Sequence, residues 1–201
     1  MKAKTKALIL SLCAILLVAT SVLGTMAYLT SQDSVTNTFT VGKVNITLDE
    51  TDVDSAPGSS GPSRDQSNAY HLIPGSTYTK DPIIHVRGDS ESCYVFVKVE
   101  NDLAAFEAPT TADGYTNIAG QILDNGWLSL TGVANVYYKP YVKGQAETDL
   151  TVFTELKIAD EANDVSGWGA IDGKTITVTG YAVQAENFAD AKAAWDATFG
   201  S

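Results

Sequence analysis

Thr175–Gln184 (TITVTGYAVQ) is the stretch whose reading decides the fold class. Along it Ile176, Val178 and Ala182 share one parity, while a threonine ladder, Tyr181 and Val183 share the other. Successive side chains of a strand point to opposite faces, so a period of two in β-branched and aromatic residues reads as strand. The same alternation recurs toward the N-terminus. Val95, Val97 and Val99 alternate with Phe96 and Lys98, Ile84 with His85 and Val86, and Leu150, Val152, Leu156 and Ile158 read as one long run. Val136, Tyr138 and Val142 mark another strand, interrupted by Pro140, which suits an edge or a bulge because proline cannot donate to a ladder.

Earlier still, Val35, Phe39 and Val41 share a face opposite Thr36, Thr38 and Thr40. After Gly42 the parity flips to Val44, Ile46 and Leu48, which predicts a β-bulge or a break between two strands. The sum is an all-β chain of about seven or more strands with turn signals between them, a jelly roll or β-sandwich. One segment departs from this period. Phe188, Ala191, Trp195 and Phe199 recur at helical spacing, which predicts a short C-terminal helix ending near Gly200 and covering one end of the sandwich. Nine of the fifteen residues in Ser55–Ala69 are Ser, Gly or Pro, so 55–69 reads as a flexible loop inside a single domain spanning 28–201.

The first 27 residues read differently. Lys2, Lys4 and Lys6 precede 17 uncharged residues, Ala7–Leu23. A membrane-spanning helix needs about 20 apolar residues, and Ser11, Thr20 and Ser21 dilute this run, so residues 1–27 read as a signal peptide. Thr25 and Ala27 are small residues at the positions that precede cleavage, which places the cut between Ala27 and Tyr28. An uncleaved anchor is the alternative. Cys13 would leave with the signal, and Cys93, which shares strand parity with Val95, Val97 and Val99, reads as a buried small hydrophobe.

Charge narrows the function classes. The 201 residues carry −11, and the three lysines of residues 1–27 are unopposed there, so residues 28–201 carry −14. A nucleic-acid binder needs a basic surface, and the acidic balance of this chain argues against one. Two cysteines cannot build a disulfide framework. The chain has neither an HExxH helix nor a GxSxG elbow nor a phosphate-cradling GxxxxGK, and its two histidines, His71 and His85, pair with no serine in the sequence. His85 reads as a rim histidine. Asp49, Glu50, Asp52 and Asp54, and likewise Asp160, Glu161, Asn163 and Asp164, are candidate calcium ligands, but neither group has an EF-hand spacing and both read as solvated turns. No resident cofactor is expected.

Three stretches carry a resemblance. They are GTMAYLTSQDSVTNTFTVGKVNITLDE (24–50), LIPGSTYTKDPIIHV (72–86) and ITVTGYAVQAENFADAKAAWDATFG (176–200). Together they resemble the TasA/camelysin family, secreted by Gram-positive-type bacteria through a dedicated type I signal peptidase, SipW. The resemblance implies a jelly-roll subunit of extracellular biofilm-matrix fibres, in which the N-terminal strand of one subunit completes a sheet of the next. On this chain that strand begins at Tyr28 and would present Leu29, Val35, Phe39 and Val41. Its partners would be the SipW-like peptidase and further matrix subunits, with membrane contact only through the signal before cleavage. Pairing of Val35–Val41 within its own domain is the alternative. Some members of the family are metalloproteases, which makes a secreted protease the rival reading. A monomeric surface adhesin using Tyr137, Tyr138 and Tyr141 as a stacking face is a third, although these tyrosines read better as packing on both sheet faces.

Overall fold

The computed structural model describes residues 3–6, 9–17, 43–54, 63–110, 114–160, 171 and 173–200. The chain divides into two compact units, Met1–Thr40 and Val41–Ser201. In the first, residues 3–6 and 9–17 are helical (α1) and leave Leu10, Ile15, Leu16 and Leu17 exposed. Among the described residues no helix is long and apolar enough to cross a membrane. The cleavage pair Ala27 and Tyr28, and the strand residues Leu29, Val35, Phe39 and Val41, lie outside the described residues.

The second unit is built on three antiparallel sheets. One holds β1 (Ile46–Thr51), β2 (Arg64–Asp65), β4 (Ile83–Val86) and β8 (Thr148–Thr151) in the order β2-β1-β4-β8. Another holds β5 (Cys93–Asn101), β6 (Leu128–Ser129), β7 (Val136–Tyr141) and β10 (Ile176–Gln184) in the order β10-β5-β7-β6. The third pairs β3 (Thr77–Thr79) with β9 (Glu155–Lys157). The alternation read in Thr175–Gln184 is realised in full. β10 runs antiparallel to β5 from Ile176 opposite Asn101 to Gln184 opposite Cys93. Cys93, Val95, Val97 and Val99 point into the main core with Ile84, Val86 and Trp127, and Ile176 and Val178 pack on it from β10. The two four-stranded sheets therefore share one apolar interior, the arrangement by which each sheet buries its apolar face.

The opposite face of β5 is buried as well. Phe96, with Tyr94, Val136, Tyr138, Tyr181 and Val183, forms a second cluster under α3 (Ala191–Phe199). Asp190 caps this helix, its carboxylate accepting from the N–H of Ala193 at 2.8 Å, and Gly200 follows its last residue. Trp195 sits 5.1 Å from Phe96 and 5.5 Å from Tyr181, ring centre to ring centre. The expected helix is present, but it covers the outer face of the β10-β5-β7 sheet and not an end. The reason is that β5, β7 and β10 all carry large apolar residues at the outward parity.

Four other expectations change. The run from Leu150 to Ile158 is not one strand: β8 joins the first sheet, residues 152–154 turn with Val152 and Phe153 fully buried, and β9 joins the third. The turn is held by Gln121, whose side-chain oxygen accepts from the N–H groups of Thr154 and Glu155. Val142 lies beyond β7 in a turn and is exposed; Tyr141 takes the buried place instead. Pro140 does sit where β7 has a strand on one side only, since β6 reaches just Tyr137 and Tyr138. Within 55–69, residues 63–69 are fixed: β2 pairs Arg64 with Thr51 and Asp65 with Glu50. Finally, the chain contains a helix that a period of two does not reveal, α2 (Ile118–Asp124), capped by Asn117 and burying Ile118 and Ile122.

Candidate functional site

The seams between the two four-stranded sheets differ. On the β8–β6 side the gap is bridged. α2 ends at Asn125, whose side-chain amide donates to the carbonyl of Val152 at 3.1 Å, and Trp127 Nε1 donates to the carbonyl of Thr151 at 2.8 Å. Trp127 is fully buried and carries the Lys139 ammonium 5.1 Å above its ring.

On the β1–β10 side no described strand or helix bridges the two edges. β2 pairs only with Glu50 and Thr51, so Ile46–Asp49 has β4 on one side and no described strand on the other. β10 is likewise the last strand of its sheet among the described residues. Between these two edges runs a groove of about 830 Å³ with Ile46, Leu48, Leu103, Leu156, Ile176 and Val178 in its walls. Its apolar walls come from the inward parity of β1 and β10, joined by Leu103 and Leu156. Its edges are polar because an unpaired strand edge presents free N–H and C=O groups.

One end of the groove is polar. Glu50, Lys80, Asn68 and Tyr70 line it. Lys80 Nζ donates to Glu50 Oε2 at 2.7 Å, and the ring of Tyr70 lies 5.4 Å from that ammonium. Burial, and then the nearby charge of Glu50, push the Tyr70 hydroxyl far above its ordinary value. This group was not visible in sequence, although one signal was there: Glu50 falls on the apolar parity of Ile46 and Leu48.

On the outer face of the same strands the acidic residues serve as clamps. Arg64 ion-pairs with Asp49 through Nε, and its Nη1 meets Asp81 Oδ2 at 3.1 Å. Asp81 also accepts from the N–H and hydroxyl of Thr51, both at 2.8 Å. Its burial alone would raise its pKa; the Thr51 and Arg64 hydrogen bonds outweigh that and hold it below the usual carboxylate range. His85 is not a free rim histidine. Its Nδ1 is 2.6 Å from Asp149 of β8 and its Nε2 is 3.1 Å from Asp49 of β1. Burial alone would lower its pKa, but the bonds to Asp149 and Asp49, reinforced by their charges, raise it above 6.5. With both ring nitrogens engaged, His85 has no lone pair turned outward for a metal or a substrate.

The other sequence candidates are placed as follows. His71 lies in the stretch before β3, exposed, with its carbonyl accepting from the Tyr78 hydroxyl at 2.9 Å. The first acidic group disperses: Asp49 faces out to Arg64 and His85, Glu50 faces in to Lys80, and Asp54 accepts from the N–H of Ala69 at 2.7 Å. Of the second group only Asp160 is described. Tyr137 and Tyr141 pack on the main core and Tyr138 on the cluster under α3, so the three straddle the sheet as expected. Cys93 is fully buried, and burial pushes its thiol up to about 11. No family model, no curated protein and no solved structure matches the chain.

Proposed function

We propose that the chain is a secreted, non-enzymatic structural protein, a subunit of extracellular biofilm-matrix fibres of the kind its sequence resembles. In this reading residues 1–27 are the signal, a SipW-like peptidase cuts between Ala27 and Tyr28, and residues 28–201 are a jelly-roll-like sandwich. The strand beginning at Tyr28 enters the groove of a neighbouring subunit and brings Leu29, Val35, Phe39 and Val41 to the interface.

The observation that carries the reading is the groove between the edges of β1 and β10 that no described strand pairs. A strand added along the edge of β1 or of β10 would meet backbone donors and acceptors on one side and apolar side chains below, which is what β-strand addition requires. Alternate side chains set the register, since a slip by one residue would turn Val35, Phe39 and Val41 to the wrong face. Donor strand and groove are different surfaces, so addition is head to tail and gives open filaments, not closed dimers. Cleavage then has a physical role. While Ala27 stays joined to α1, the start of the donor strand is tethered and cannot thread into a neighbour.

The test compares protein beginning at Tyr28 with protein lacking 28–41, by negative-stain electron microscopy. The former forms filaments; the latter stays monomeric and binds an added 28–41 peptide. Protein beginning at Tyr28 that remains monomeric at high concentration would overturn the reading.

A further inference from the structure

Glu50 is out of character for its place. β1 sends Ile46, Leu48 and Glu50 inward at one parity, yet the third is a carboxylate only 7 % exposed. Buried carboxylates are rare and need partners. The two oxygens of Glu50 reach two different nitrogens. Lys80 Nζ donates to Oε2 at 2.7 Å, and Asn68 Nδ2 donates to Oε1 at 3.0 Å. Lys80 is itself 8 % exposed. The Asn68 carboxamide is fixed at both ends, since its Oδ1 accepts from the N–H of Val53 at 2.8 Å and its Nδ2 also donates to the carbonyl of Thr51 at 3.0 Å. One carboxylate thus holds an amine beside a carboxamide whose carbonyl is polarised by a backbone donor.

We propose that Lys80 and Asn68 join through an intramolecular isopeptide bond, with Glu50 as the proton-transfer group. Lys80 passes one ammonium proton to the Glu50 carboxylate, and the freed lone pair attacks Cγ of Asn68. A C–N bond forms, and the oxyanion develops where the N–H of Val53 already points. Glu50 then returns its proton to Nδ2, the Cγ–Nδ2 bond breaks and ammonia leaves, taking up the second proton released from the former ammonium. The positive charge of Lys80 departs as ammonium ion, Glu50 ends as it began, and nothing is oxidised or reduced. The geometry meets the first requirement of acid–base catalysis, a shared group within hydrogen-bond reach of both reacting nitrogens.

A plain ion pair would need only Lys80 and Glu50. It does not require the carboxamide on the second oxygen, and buried ion pairs often stabilise no better than apolar ones. The bond would close residues 68–80 into a covalent loop that includes Tyr70 and Leu72, both in the groove wall. It does not depend on what occupies the groove.

The test is intact-mass spectrometry of the purified wild-type chain, its N-terminus established by sequencing, followed by proteolysis. The expected mass is lower than that of the sequence by one ammonia, with a fragment joining the Lys80 peptide to the Asn68 peptide. Glu50→Gln, Lys80→Arg and Asn68→Ala each restore the full mass, and Asn68→Asp changes the loss from ammonia to water. Full mass with separate Lys80 and Asn68 peptides in the wild type overturns the proposal. So does loss of ammonia without the joined fragment, which would be cyclisation of an asparagine on its own chain. Because the wild-type mass and fragments decide between bond and no bond, a variant that fails to fold does not blunt the test.

Discussion

Cys93 and His85 show two opposite cases of what one residue reveals. Cys93 shares parity with three valines, and parity alone places it in the core; its thiol, raised to about 11 by burial, is inert at neutral pH. Native protein beginning at Tyr28, which lacks the exposed Cys13, is therefore expected to resist a thiol reagent and to react after unfolding in urea, and rapid labelling of the native form would contradict the burial of Cys93. His85 could not be read the same way, because its partners stand 36 and 64 residues away, on β1 and β8. Its folded pKa lies above the ordinary 6.5, so its bonds to Asp149 and Asp49 contribute fully below about pH 6.5 and are lost as pH rises through the folded value. For Asp49, burial opposes its charge, but bonds to Arg64 and His85 lower its pKa, so its share persists until pH falls through that depressed value. The stability difference between wild type and His85→Gln, measured by urea unfolding across this range, should be largest at mildly acidic pH and shrink toward alkaline pH. A difference independent of pH would mean that the clasp does not titrate.

At the scale of elements, boundaries depend on contacts outside the element. The C-terminal helix was legible because Phe188, Ala191, Trp195 and Phe199 form a stripe and Gly200 can end it. What the stripe covers was not, because that depends on the outward residues of β5, β7 and β10 meeting in register. The break between β8 and β9 was hidden for a similar reason: Gln121 of α2 supplies the acceptor that turns the chain at Thr154, and nothing in 150–158 announces it. Trp127 makes the bridged seam testable. Trp127→Phe keeps an aromatic ring but leaves the carbonyl of Thr151 without its indole donor, which should cost about 1–3 kcal/mol in urea unfolding. An unchanged midpoint would show that the indole hydrogen bond adds nothing to the seam.

For the whole molecule the decisive property is the asymmetry between a bridged seam and an open one. Val178 belongs to the open side, half-buried on β10 and facing the groove. Val178→Lys places an ammonium where the donor strand would seat its apolar face. The variant should keep its β-sheet circular dichroism, form no filaments from Tyr28 onward and fail to bind a 28–41 peptide. Filaments at the wild-type rate would move the interface elsewhere. The net charge of −14 on residues 28–201 fits the proposed subunit, which would have to stay soluble before its strand finds a neighbour.

By itself the sequence determined the strand class, the faces of β5 and β10, the C-terminal helix and the burial of Cys93. Each is a local periodicity, written into the order of side chains because backbone geometry has a fixed repeat. Only the tertiary structure decided which described strands neighbour each other, where the groove between β1 and β10 lies, and that His85 is clasped by two aspartates. It alone set Glu50 between Lys80 and Asn68, 30 and 18 residues away, a meeting fixed by sheet order and loop path, on which a period-two pattern is silent.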